Sequence, residues 1–198
     1  MKKTVKRLAA LVFAAVLVFA LAGCTPEKKA EKAVSTFLNG LKVLNIEESL
    51  ACVEATEDVE NSFFGENMKM YAEPLLGRME YVITGSEKVD KNTVNVNLSI
   101  TNVDMSPVLN EFLASALEYA FSTMSADPAP TEEEIQAKLT EILLETLDKE
   151  GRAMVTNDVT VTVKNIDGDW KVTMDGTFVN AILGGFEEAA KNMQNSLQ

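Results

Sequence analysis

The chain of 198 residues contains no histidine. That absence removes the side chain most used as a general base near neutral pH, and with it Ser-His and Cys-His nucleophile systems and imidazole zinc sites. Cysteine is nearly as scarce. The two present, Cys24 and Cys52, form no Cys-x-x-Cys pair, and neither a phosphate-binding glycine loop nor a dinucleotide fingerprint occurs. No cofactor and no metal is therefore expected. Positive charge is the third shortage: Lys plus Arg number 18 against 30 Asp plus Glu, and four of the cations, Lys2, Lys3, Lys6 and Arg7, lie at the amino end. The rest of the chain holds fourteen cations against thirty carboxylates, a net charge near −16. Such a surface repels nucleic acid and anionic lipid head groups, so no nucleic-acid partner is expected.

The amino end is organised differently. The basic head is followed by an uncharged run, Leu8 to Ala22, and then by the polar flank Thr25-Pro26-Glu27-Lys28-Lys29. A bilayer core of roughly 30 Å needs about 20 apolar residues in a helix, and the flank arrives sooner. Basic head and short apolar run are the n- and h-regions of a secretory signal.

The run ends in Leu21-Ala22-Gly23-Cys24, which resembles the lipobox of bacterial lipoproteins. That resemblance implies cleavage between Gly23 and Cys24, with Cys24 bearing a diacylglyceryl thioether and an acylated (palmitate-type) amino terminus. It divides the chain into a lipoprotein signal peptide, residues 1–23, and one lipid-anchored domain, residues 24–198. Two or more acyl chains suffice for stable anchoring. The expected location is the extracytoplasmic face of the cell membrane, with the lipid on Cys24 as the membrane contact. Cys52, in Leu50-Ala51-Cys52-Val53, then has no intramolecular disulfide partner and reads as a small core hydrophobe.

Residues 24–198 can bury one sizeable core. Thr25 as cap and Pro26 in the first turn announce a helix whose apolar stripe is Ala30, Ala33, Val34, Phe37, Leu38 and Leu41. A second short helix is expected over Ile46 to Val53. A third helical region, broken by Gly65, Pro74 and Gly77, is expected from Phe63, Phe64, Met68, Tyr71, Leu75, Leu76 and Met79. From Tyr81 the period becomes two: Val94, Val96, Leu98 and Ile100 alternate with polar residues, as do Val159, Val161 and Val163. Asp167-Gly168 suits a tight hairpin leading to Trp170, Val172 and Met174. The further carboxylates of a calcium loop are missing around it.

Between these strands, about 106–150, lies a helical hairpin insertion. Its first helix carries a wide stripe from Val108 to Met124, and its second is opened by the capping box Thr131-Glu132-Glu133-Glu134. A single final helix is expected to bear Phe178, Ile182, Leu183, Phe186, Ala190 and Met193. The predicted fold is α+β: amino-terminal helices on a curved antiparallel sheet, a helical hairpin insertion and a carboxy-terminal helix.

The opening Phe37-Leu38-Asn39-Gly40-Leu41-Lys42, then Asn45-Ile46-Glu47-Glu48-Ser49-Leu50, resembles the cystatin-like cone of the nuclear-transport-factor-two-like superfamily. Ile100-Thr101-Asn102-Val103-Asp104-Met105 and Phe178-Val179-Asn180-Ala181-Ile182-Leu183-Gly184-Gly185 resemble uncharacterised lipoproteins of Gram-positive bacteria. These resemblances imply a fold and an address, and transfer no catalytic residue. Three function classes stay open: a binding or accessory module at the envelope whose partner is an apolar small molecule or an envelope protein, a structural envelope protein, and a small pocket enzyme. The enzyme reading would pair a carboxylate, Glu80 or Asp104, with Tyr71 or Tyr81. The first class is the expected one, and no catalytic residue is assigned. The hairpin is expected to cover the mouth of the cone.

Overall fold

The protein is described by a computed structural model over residues 25–54 and 72–196. Gly23, Cys24, Tyr71 and the apolar positions Phe63, Phe64 and Met68 lie outside the described residues. Helix α1, Pro26–Lys42, opens as its sequence dictates: the Thr25 side chain accepts the Lys28 amide hydrogen at 3.3 Å, with Pro26 in the first turn. Helix α2, Ile46–Ala51, is capped by the Asn45 side chain. It is shorter than expected because Cys52 ends it and Val53 pairs instead with Val172 in an isolated parallel bridge. Cys52 is partly buried, and burial raises its thiol pKa.

Four strands follow in the order β1 (Glu80–Lys88), β2 (Thr93–Val103), β3 (Met154–Ile166) and β4 (Asp169–Val172), each antiparallel to its neighbour in a curved open sheet. The register sets Val94 opposite Val163, Val96 opposite Val161 and Leu98 opposite Val159, so one face is apolar throughout. The β3–β4 turn places Asp167 and Gly168 at φ 53° and 102°, the pair of positive values that a two-residue hairpin turn requires. On the opposite face Thr160 donates to Asn97 at 2.8 Å and Ser99 to Asp158 at 2.5 Å, a polar ladder open to water.

The apolar face is covered by α1 and by α5, Gly176–Ile182. Phe37 and Phe178 meet at its centre with ring centroids 5.8 Å apart. Phe37, Leu38, Leu41, Val94, Val96, Leu98, Ile100, Val161, Val163, Val172, Phe178 and Ile182 are at most 1% exposed. At about 1.5–3 kcal/mol for each large side chain, this layer dominates the stability of the domain.

The insertion forms two helices, α3 (Met105–Thr123) and α4 (Glu132–Asp148). Asp104 caps α3, accepting the Ser106 amide hydrogen at 2.9 Å. The Thr131–Glu134 capping box of α4 is present in both directions. The hairpin does not close over the mouth of the sheet. Its base joins a second core in which Val103, Met105, Val108, Leu109 and Leu147 meet Leu75 and Ala189, and its main helical neighbour is α6, Phe186–Ser196. The cover of the sheet is already complete without it.

The single final helix is also corrected: it is two, α5 and α6, separated at Gly184 and Gly185. Gly184 sits at φ +61°, and a Cβ there would lie 1.8 Å from the Val103 carbonyl oxygen. Its own carbonyl accepts the Met105 amide hydrogen at 3.0 Å. Helical continuation through Leu183 would break this approach to the end of β2.

Candidate functional site

The carboxylate–tyrosine candidates do not converge. Glu80 and Tyr81 are consecutive on β1 and so point to opposite faces; Glu80 is exposed, whereas the Tyr81 hydroxyl donates to Asn39 Oδ1 at 3.1 Å and to the Ser35 carbonyl at 3.4 Å. Asp104 is spent as the cap of α3. Tyr81 therefore fastens β1 to α1.

The described methionines are dispersed and do not line one pocket. Met79 and Met105 are buried in different cores, while Met154 and Met124 are 46% and 80% exposed. The grooves among the described residues are open surface features with mixed polar and apolar walls. One of about 530 Å³ lies between Glu73, Pro74, Arg78, Leu144, Glu145 and Asp148.

The polar chemistry of the described residues is concentrated at the root of the hairpin. Arg78 donates to the carbonyls of Leu147 at 2.9 Å and Asp148 at 3.0 Å, and to the Asp148 carboxylate at 3.1 Å. Arg152 donates through Nε to the Thr146 carbonyl at 2.7 Å and pairs with Glu111 at 2.6 Å. Two guanidinium groups thus satisfy the last carbonyls of α4, where the helix dipole also favours cations. Glu111 bridges Lys149 and Arg152, and those two hydrogen bonds hold its carboxyl below the usual range. Sequence reasoning missed Arg78, Arg152 and Glu111. Arg78 precedes its partner Asp148 at the end of α4 by 70 residues, and no local pattern couples positions so far apart.

Beyond that root the hairpin is bare. The stripe of α3 is buried at Met105, Val108 and Leu109, but Leu117, Phe121 and Met124 are 47%, 70% and 80% exposed. No helix among the described residues is long and apolar enough to cross a membrane, and none of their acidic and cysteine side chains cluster as a metal site would need.

Neither a protein-family profile nor a curated protein matches the chain. Among solved structures it is similar to a candidate lipoprotein of Bacillus subtilis, ycdA, at 19% identity and a TM-score of 0.45. The match covers 77% of this chain and 45% of that one, so the chain spans less than half the length of the protein it resembles.

Proposed function

We propose that the protein is an extracytoplasmic lipoprotein, anchored to the cell membrane through Cys24, whose domain works as a non-enzymatic accessory or protein-binding module of the envelope. The observation that carries this reading is the junction at Cys24: a basic head, an apolar run and Leu21-Ala22-Gly23 precede it, and the cap of the first helix is its immediate neighbour, Thr25.

The packed sheet face favours a protein partner over an enclosed small molecule, since α1 and α5 fill the space a cone-shaped pocket would offer. The helix, polar break and helix ahead of the sheet remain the support for a cystatin-like relationship.

The test is fractionation of the wild type and Cys24→Ala. Wild type should partition with membranes and carry an acylated cysteine as its first residue by mass spectrometry, and Cys24→Ala should appear as uncleaved precursor or in the medium. A Cys24→Ala protein that fractionates like the wild type, with the same mature terminus, overturns the anchor. Capture of an envelope protein by the soluble domain, with no small molecule retained in native mass spectrometry, is the result expected of the module; a retained apolar ligand would replace it with a carrier.

A further inference from the structure

We infer that the folded domain stands end-on at the bilayer, with the amino end of α1 and the β1–β2 and β3–β4 turns against the lipid head groups and the α3–α4 hairpin at the far end. The inference rests on the lipidation of Cys24 proposed above and adds the surface that meets the membrane.

The first support is the tether. Cys24 is bonded directly to Thr25, the cap of α1, and consecutive Cα atoms are about 3.8 Å apart. Acyl chains on Cys24 would hold the first turn of α1 at the head groups and not on a loose leash.

The second is direction. Glu31 accepts from the Ser86 hydroxyl at 2.7 Å while Asn39 accepts from Tyr81 at 3.1 Å, so α1 runs antiparallel to β1. Its amino end therefore points the same way as the β1–β2 turn. The Asn165 amide donates to the Asn92 carbonyl at 2.7 Å, which brings the β3–β4 turn to that end as well. The opposite end holds Lys42, the last residue of α1, beside Arg78, Glu80, Arg152 and Met154 at the hairpin root. Strand β2, with 11 residues, separates the two ends by about 35 Å at roughly 3.3 Å per residue.

The third is the character of each end. Stretches 26–32, 86–93 and 165–169 together hold five lysines, Lys28, Lys29, Lys32, Lys88 and Lys91, against six carboxylates. Two of those carboxylates are engaged locally: Glu31 binds Lys28 and Ser86, and the exposed Asp90 accepts the Asn92 amide hydrogen. Each turn also offers one exposed apolar side chain, Val89 at 56% and Ile166 at 37%. The hairpin, residues 105–148, has one lysine, Lys138, against nine carboxylates. An anionic leaflet attracts each nearby lysine by about 1 kcal/mol and repels acids over a Debye length. Among the described residues this end is thus far less negative than the hairpin, and it is the end that would carry the lipid.

The experiment uses the full lipidated chain, with Cys52→Ala to remove the other thiol, purified from membranes and reconstituted in phosphatidylcholine–phosphatidylglycerol vesicles carrying a head-group nitroxide. A fluorophore is placed at Lys91→Cys or at Ala126→Cys; both positions are exposed. Quenching should be several-fold stronger at 91 than at 126. Equal quenching, or stronger quenching at 126, on acylated and vesicle-bound protein overturns the orientation alone and puts the apolar hairpin tip at the membrane. Protein that lacks the acyl groups and does not float with vesicles overturns the anchor and the orientation together.

Discussion

The side-chain amide of Asn102 donates to the carbonyl of Ile182 at 2.6 Å, across 80 residues of sequence, with both groups buried. The Asn102 Oδ1 accepts the Val103 amide hydrogen at 2.7 Å. One fully buried asparagine thereby closes the end of β2 onto the last turn of α5, beside the Gly184 contact with Val103. The segments Ile100 to Met105 and Phe178 to Gly185 are thus in direct contact, with Asn102 and Gly184 at the joint.

Asn102→Ala leaves the Ile182 carbonyl and the Val103 amide unsatisfied in an apolar setting. Unpaired buried groups cost about 1–3 kcal/mol each, so a loss of about 2–4 kcal/mol is expected in urea unfolding of the soluble domain. A change within error would mean that water reaches the joint.

Val161 and Thr162 are adjacent on β3 and face opposite sides; Val161 is 0% exposed while Thr162 donates to Asn95 at 3.2 Å on the wet face. Val161→Asp should unfold the domain or cost several kcal/mol, because the charge has no partner in the core. Thr162→Asp should cost under about 1 kcal/mol, as surface changes usually do. Thermal melts of the two variants side by side read the assignment of the faces.

Leu44 occupies a left-handed conformation, φ 57°, after α1, where Asn45 donates back to the Gly40 carbonyl at 2.8 Å. A non-glycine residue there costs about 1–2 kcal/mol, and Leu44 returns little of it in packing, being 38% exposed. Glycine is freer in the unfolded chain, which offsets part of the gain. Leu44→Gly is expected to stabilise by up to about 1 kcal/mol, whereas the β-branched Leu44→Val should destabilise; denaturation midpoints give the sign of each.

Glu111 has a folded-state pKa held below its ordinary 4.5 by hydrogen bonds from Lys149 and Arg152. A depressed carboxyl contributes stability that is present above the unfolded value and is lost as pH falls through the folded one. Wild-type stability should therefore decline below about pH 4.5. Glu111→Gln should flatten that decline, leaving the part due to Glu31, Asp90 and Glu134, which are lowered as well. Parallel acid titration curves for wild type and variant would show that the hairpin root contributes nothing through this charge.

What was written locally could be read locally. The Thr25 cap, the Thr131 capping box, the Asp167–Gly168 turn and the alternation along β2 and β3 each depend on contacts between residues a few positions apart, whose geometry the side chains themselves prescribe. The buried face of the sheet followed from period and register, since a slip of one residue would turn every valine to water. The expected leader and lipobox rest on a pattern along the chain alone, in residues outside those the structure describes.

The rest was decided by distant partners. The break between α5 and α6 comes from the carbonyl of Val103, eighty residues earlier, which leaves no room for a side chain at Gly184. The fastening of the hairpin by Arg78 and Arg152, and its course away from the sheet, depended on which surface α1 and α5 had already covered. The wide stripe of α3 announced only that apolar surface exists; whether it is buried depends on neighbours whose positions no local periodicity contains. The polarity of charge between the two ends arises in the same way, because lysines of α1 and of the β1–β2 turn lie far apart along the chain and meet only when α1 runs antiparallel to β1.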